Sequence, residues 1–248
     1  MKDKVRNVII PLALWLALWA LAAAAVGREL LLPSPWAVAR ALFTRMGTGD
    51  FWRSCLTSVG RILGGFGIGV FLGTGLGVVT ARWKWCDRLL SPALRAVRTV
   101  PVVSFILLLF FWLPTGLVPT AVAALMGLPV VWRSTRQGIA AADPQLLEMA
   151  AHYRLSPWKT CTLIRLPAAL PAVAAGWETA LGLCWKSGAA AEVLCQPKWG
   201  AGTQLQISKA YLDSPGLFAW TVVIVAWSLG MEWMLRRAFR FWMGRREV

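Results

Sequence analysis

Asp143-Pro144-Gln145-Leu146-Leu147-Glu148-Met149-Ala150-Ala151-His152-Tyr153-Arg154-Leu155-Ser156-Pro157-Trp158-Lys159-Thr160-Cys161-Thr162-Leu163-Ile164-Arg165-Leu166 contains two helix starts in close succession. Asp143 before a proline supplies an N-cap carboxylate and a first helical residue whose φ is already set. Leu146, Leu147, Ala150, Ala151 and Leu155 then share one helical face. Ser156-Pro157 repeats the cap-plus-proline signal, and Trp158, Thr162 and Leu166 follow at four-residue spacing. The expected product is a pair of short helices meeting at an angle near Leu155–Pro157. Such an elbow offers a shaped apolar knob to a soluble partner, although an ordinary surface loop would satisfy the same residues.

The flanks of this segment are apolar. The 248 residues are 58% hydrophobic and 15% charged, include sixteen tryptophans, and have a mean hydropathy of +0.60. Soluble domains are about 45–50% apolar and about 25% charged, so this chain cannot cover a water-facing surface. It belongs in a lipid bilayer. A disordered chain, a disulfide-stapled secreted domain and, despite the net charge of +15, a nucleic-acid binder are excluded. A helix crosses the hydrocarbon core with roughly 20 apolar residues. Six stretches approach that length, about 8–26, 58–80, 93–113, 117–132, 168–191 and 217–235. The expected fold is an all-α integral membrane protein, a single domain over 1–248, with six transmembrane helices. The cytoplasmic elbow, about 143–166, lies between helices 4 and 5. The first stretch, Val8–Val26, is taken as a retained span because its apolar run exceeds the roughly 7–15 residues of a signal peptide.

Orientation follows from the basic residues. With both termini cytoplasmic, the inner segments hold eighteen of the 26 Lys and Arg. These are Lys2, Lys4 and Arg6; Arg82, Lys84, Arg88, Arg95 and Arg98; Arg133, Arg136, Arg154, Lys159 and Arg165; and Arg236, Arg237, Arg240, Arg245 and Arg246. Only Arg28, Arg40, Arg45, Arg53, Lys198 and Lys209 fall outside, which is the positive-inside asymmetry of a cytoplasmic-membrane protein. In the outer connection, Ser34 is placed to cap a short helix starting at Pro35. Within the second span, Gly65, Gly69, Gly73 and Gly77 recur every four residues, a ridge on which another helix can approach closely. Cys55, Cys86, Cys161, Cys184 and Cys195 show no metal-ligand spacing, and no metal site is expected.

The elbow and its surroundings resemble the signature of binding-protein-dependent ABC importer permeases. The residues that carry the resemblance are Glu148-Met149-Ala150-Ala151, Leu155-Ser156-Pro157-Trp158-Lys159-Thr160 and Leu166-Pro167-Ala168-Ala169-Leu170-Pro171. Ser58-Val59-Gly60-Arg61, the Arg95–Pro101 turn, Ala191-Glu192 and Gly200-Ala201-Gly202 also fit, and the nitrate, sulfonate and taurine branch fits best. The resemblance implies a homodimer of permeases and a cytoplasmic ABC ATPase dimer that binds ATP and Mg. It also implies an extracytoplasmic solute-binding protein that delivers the substrate. The ATPase would dock on Glu148, Ala150, Ala151, Arg154, Leu155, Ser156, Pro157 and Trp158. Two positions depart from the pattern: Arg154 stands where the family has glycine, and Met149 where it has alanine. Arginine at the turn implies either that the chain turns at Ser156-Pro157 instead, or that the ATPase offers an acidic contact. The chain carries no ATPase of its own. Lys186-Ser187 lacks the glycine of a phosphate loop, since Trp185 precedes it.

Three charges in or near the fifth span are candidates for the translocation path: Glu178, Lys186 and Glu192. A lone charge near the bilayer centre costs at least about 2.5–3.5 kcal/mol, so it should face a cavity or a partner. Glu178 and Lys186 lie about 80° apart around the helix and about 12 Å along it, too far to pair. Lys186 either lines the path and favours an anion such as nitrate, a sulfonate or taurine, or pairs with a carboxylate on another helix, or snorkels outward. Arg61 is expected as an anchor at the outer interface, and the lone His152 as a surface or docking residue. A heterocyclic vitamin precursor is the alternative cargo. An ion-coupled secondary carrier using Glu178 is the alternative class, although it would want internal repeats and none is evident.

Overall fold

The computed structural model describes residues 2–244, with side chains from Ile10 to Phe241. Arg245 and Arg246 lie outside the described residues, as do the side chains of Lys2, Lys4 and Arg6. Among the described residues the chain is helical throughout, without a strand. The order is α1 (Lys2–Val26), α2 (Pro35–Met46), α3 (Gly49–Arg82), α4 (Lys84–Thr99), α5 (Val102–Trp112) and α6 (Val118–Ala140). There follow α7 (Pro144–His152), α8 (Pro157–Thr160), a π-helical turn (Cys161–Arg165), α9 (Leu166–Cys195), α10 (Ala201–Ala210) and α11 (Ser214–Gly244). As the sequence implies, Ser34 Oγ accepts the Ala37 N–H at 3.2 Å and starts α2.

Helix α6 is the spine, packed along α3 on one side and α9 on the other. The glycine ridge of α3 is what permits the first contact. A Cβ on Gly73 would lie 2.7 Å from Leu128 O and 2.8 Å from Val131 Cβ; one on Gly77 would lie 2.6 Å from Thr135 Cβ. Gly65 and Gly69 face Ala123 and Ala124 of α6 in the same way. The α6–α9 contact uses small residues too, Gly127 against Cys184 and Gly138 against Ala169. Ile62, Ala123, Cys184 and Trp185 fill the junction of the three helices. Helix α11 closes the bundle against α2, α9 and α10.

The stretch 93–113, expected to cross as one helix, is two. Helices α4 and α5 meet at 102°. The cause is Pro101, which has no N–H to continue the ladder and forces the residue before it out of the helical region; Val100 is extended at ψ 133°. The other expected spans lie within α1, α3, α6, α9 and α11 to within a residue. By length and apolarity alone, two described helices, Gly49–Arg82 and Ser214–Phe241, are suited to crossing a membrane, or three if the bent α4–α5 pair counts as one.

Candidate functional site: the helical elbow and the ends of α9

Both caps of the elbow are made. Gln145 N–H donates to Asp143 Oδ1 at 2.8 Å, and Lys159 N–H donates to Ser156 Oγ at 3.3 Å. Between them the chain turns at Arg154, which is left-handed at φ 50°. Arg154 N–H bonds to Ala151 O at 3.0 Å and Leu155 N–H to Ala150 O at 2.9 Å. This pair of bonds is a Schellman C-cap, completed by an apolar contact between the residue after the cap and the last turn; Leu155 packs with Ala150 and Leu147 here. Arginine therefore occupies the glycine's conformation, and the alternative of a turn displaced to Ser156-Pro157 is not what the chain adopts. A β-carbon in this region costs about 1–2 kcal/mol, which the cap's hydrogen bonds and the Leu155 contact offset.

The expected docking residues divide between two faces. Glu148, Ala151, Ser156, Pro157 and Trp158 are exposed. Ala150 is 2% exposed and Leu155 half-buried, both packed with Ala142, Ile164 and Ala168. These two anchor the elbow to the bundle rather than presenting a surface; Leu155, expected on the same helical face as Ala150, lies beyond the end of α7 and is brought to it by the left-handed turn at Arg154. Outward, Met149, Tyr153, Trp158 and Leu163 are exposed, Trp158 by 77%. A cavity of ≈ 1360 Å³ separates the elbow from the ends of α3, α6 and α11, lined by groups such as Val78, Ile139, Leu147, Val173 and Phe239. The elbow thus hangs from the bundle by a small contact cluster and by the π-turn, whose wide ring is closed by Leu166 N–H on Cys161 O.

At the opposite end of α9, Glu192 is fully buried at 0% exposure. Its carboxylate accepts from Ser58 Oγ at 2.6 Å, Gly202 N–H at 3.1 Å and Arg61 Nη1 at 3.2 Å. Arg61 also donates to Trp199 O, and Ser58 Oγ accepts the Ala201 N–H at 2.8 Å. Helices α3, α9 and α10 are tied together at this point. Glu192 is therefore held in a buried network of donors, with Arg61 as its cation rather than a free interfacial anchor. The physical reason is charge burial: a carboxylate this deep persists only with a cation and several donors. Gly202 lies so close that a Cβ there would sit 2.6 Å from Glu192 Cβ.

Glu178 is also engaged. Arg236 of α11 reaches Glu178 at 3.3 Å and Glu232 at 3.4 Å, a three-charge cluster. Its partner Glu232 sits four residues before Arg236, a helical spacing visible in the sequence. Lys186 differs from both carboxylates. It is exposed near the middle of α9 with Thr179, Leu183 and Ala190 on one stripe, and it makes no hydrogen bond or ion pair with any described residue. His152 is exposed and stacks edge-on with Tyr153. The five cysteines are all free thiols.

A bundle of long apolar helices with an elbow hung beneath it is the architecture of a membrane transport permease. Residues 65–240 match the family described as binding-protein-dependent transport system inner membrane components, and the chain belongs to that family of ABC transporter permeases. It is 28% identical over 189 residues to the riboflavin transport system permease of Chloroflexus aurantiacus, covering 76% of this chain and 70% of that one. It is 33% identical over 167 residues to the putative aliphatic sulfonates transport permease of Escherichia coli, covering 66% and 63%. A bicarbonate transport system permease of Synechocystis is 28% identical over 163 residues, covering 62% and 55%. The fold is shared with an amino acid ABC transporter at TM-score 0.58 and 18% identity, covering 77% of this chain and 91% of that one. An inward-facing methionine ABC transporter gives the same TM-score at 16% identity, covering 83% and 95%.

Proposed function

We propose that this chain is the permease subunit of an ATP-driven importer for a small solute. It crosses the cytoplasmic membrane six times with both termini inside. It works as a homodimer above a cytoplasmic ATPase pair that binds ATP and Mg, and is fed from outside by a solute-binding protein. The observation that carries this reading is the elbow: a Schellman-closed pair of helices whose outward side is Met149, Tyr153, Trp158 and Leu163. That exposed apolar knob suits a groove in a soluble protein, and the cavity above it leaves room for it to move. Helix α5 spans only eleven residues, so the third crossing is a short one, made by α5 with the turns at its two ends, while α4 stays at the inner face.

Lys186 is assigned to the translocation path. A lone ammonium facing hydrocarbon is costly, and no described residue pairs with it. The stripe Thr179–Lys186–Ala190 is accordingly covered by the second protomer around an aqueous path. A single positive charge there favours an anion, in line with the sulfonate and bicarbonate permeases among its relatives. The similarity to a riboflavin permease supports a heterocyclic cargo as the second reading. The ion-coupled alternative is disfavoured by family membership and by the pairing of Glu178 with Arg236.

The test is retention of the partner ATPase by affinity-tagged permease. Trp158→Ala should release the ATPase while the permease still elutes as a folded species, and uptake should fall with it. An ATPase that stays bound and uptake that persists in this variant would sink the elbow assignment.

A further inference from the structure

Helix α4 is divided into three arcs. At about 100° per residue, Lys84, Asp87, Arg88, Ser91, Arg95 and Arg98 form one arc; Trp85, Leu89, Ala93 and Ala96 form a second; Cys86, Leu90, Leu94 and Val97 form a third. The third arc is wholly or partly buried. The second is exposed, with Trp85 at 72% and Leu89 at 61%. The first faces α6 across a cleft of ≈ 760 Å³ that Arg133 and Arg136 also line.

Five guanidinium groups thus share one cleft with one carboxylate. Asp87 is already committed, accepting from Arg136 Nη2 at 2.7 Å and from Ser91 Oγ at 2.6 Å. Arg95 donates Nε to its own helix at Ser91 O. Arg88, Arg98 and Arg133 are exposed and make no hydrogen bond or ion pair with any described residue. Like charges crowded around one concave space repel unless an anion sits among them. Helices α4 and α5 are bent by 102° at their junction; on the reading that α5 enters the bilayer, α4 then lies along its surface. Its exposed Trp85–Leu89 arc then enters the acyl boundary while the arginines stay at headgroup level.

We propose that the α4–α6 cleft binds the phosphate headgroup of an anionic phospholipid of the inner leaflet, clasped by Arg98 and Arg133 with Arg88 at the rim. The occupant is lipid rather than a free anion because the apolar arc beside the cleft supplies a seat for acyl chains. The site rests on the membrane reading but not on the cargo or on ATPase docking, so transport assays and this test fail separately.

The test uses the full chain in uncharged detergent, titrated with phosphatidylglycerol or phosphatidylcholine, the retained lipid being counted by native mass spectrometry. Phosphatidylglycerol should be retained in preference. The double variant Arg98→Gln/Arg133→Gln should bind it about thirtyfold more weakly, the loss of two basic contacts to an anionic headgroup. Arg40→Gln/Lys209→Gln, on other surfaces, should keep the preference. Should the first double variant not fold, Arg88→Gln alone should weaken retention about fivefold. Equal retention of the two lipids, or a preference indifferent to these arginines, would overturn the proposal. So would full displacement of the lipid by millimolar inorganic phosphate, which would make the occupant a free anion. Displacement by the ATPase subunit would overturn it equally, assigning the cleft to an acidic protein surface.

Discussion

Replacing Arg61 by Met tests whether the α3–α9–α10 tie is a charge pair or merely a set of hydrogen bonds. The substitution keeps most of the side-chain volume and removes the one cation among the described residues that pairs with a carboxylate that is 0% exposed. Glu192 would keep Ser58 Oγ at 2.6 Å and Gly202 N–H at 3.1 Å, both neutral donors. Breaking a buried pair from one side costs about 3–5 kcal/mol. The Arg61 side chain is 16% exposed, so water can partly replace it, and the expected loss is at the low end, about 3 kcal/mol. Glu192→Gln removes the charge but keeps the shape and part of the hydrogen bonding, at about 1–2 kcal/mol. The double variant has no stranded charge. It should be less destabilised than the sum of the two by about 2 kcal/mol. Equilibrium unfolding of the full chain in mixed micelles with graded dodecyl sulfate, followed by tryptophan fluorescence, measures all three. Additivity within about 0.5 kcal/mol, or Arg61→Met losing under 1 kcal/mol, would refute the pairing argument.

Three further outcomes follow from the geometry. Gly73→Ala should cost about 1–3 kcal/mol, since its Cβ would meet Leu128 O and Val131 Cβ inside contact distance. Gly67→Ala, with nothing within 4 Å, should be neutral or gain up to about 1 kcal/mol; the same unfolding assay compares them, and equal effects would mean the ridge is not packed. Arg154→Gly should stabilise the elbow by about 1 kcal/mol through relief of the left-handed conformation, seen as slower amide exchange at Tyr153–Ser156; faster exchange would mean the arginine side chain holds the turn. Lys186→Met should abolish uptake in reconstituted vesicles while the variant still elutes as a folded complex, and unchanged uptake would remove Lys186 from the path.

Local features were legible in the sequence because their physics is local. Ser34, Asp143 and Ser156 cap the helices they precede, since a cap is decided within three residues. The glycine ridge was legible as a ridge, but not its partner: its spacing encodes close approach, while the identity of α6 depends on the whole bundle. The pairing of Arg61 with Glu192 was not legible, because 131 residues separate them and each alone looks like an isolated membrane charge. A signal was nonetheless present. Ser58 and Arg61 are three apart on one face of α3, and Gly200 and Gly202 bracket the chain opposite; small residues beside a buried acid leave room for its carboxylate. The break at Pro101 was missed although its signal is local, since a proline drives the residue before it out of the helical region. Hydropathy alone joins the two halves because it ignores the backbone.

Both ends of α9 carry the features singled out above, the elbow at one and the Glu192 network at the other. Its first residue follows the π-turn that carries the elbow, and its last turn holds Glu192 in the tie to α3 and α10. Between them run roughly 26 residues, about 40 Å of continuous helix, with Lys186 exposed on the way. A helix of that length bound at its C-terminal end by a charged network and at its N-terminal end by an elbow on a small contact cluster has one stiff joint and one soft one. Displacement of the elbow is then expected to reach the Glu192 tie through α9, with Pro171 near its elbow end as the place where the helix can bend. Strengthening the soft joint should slow transport, and loosening the stiff one should uncouple it. Arg154→Gly and Arg61→Met therefore act at opposite ends of one lever, and their effects on uptake should differ in kind even where their effects on stability are comparable.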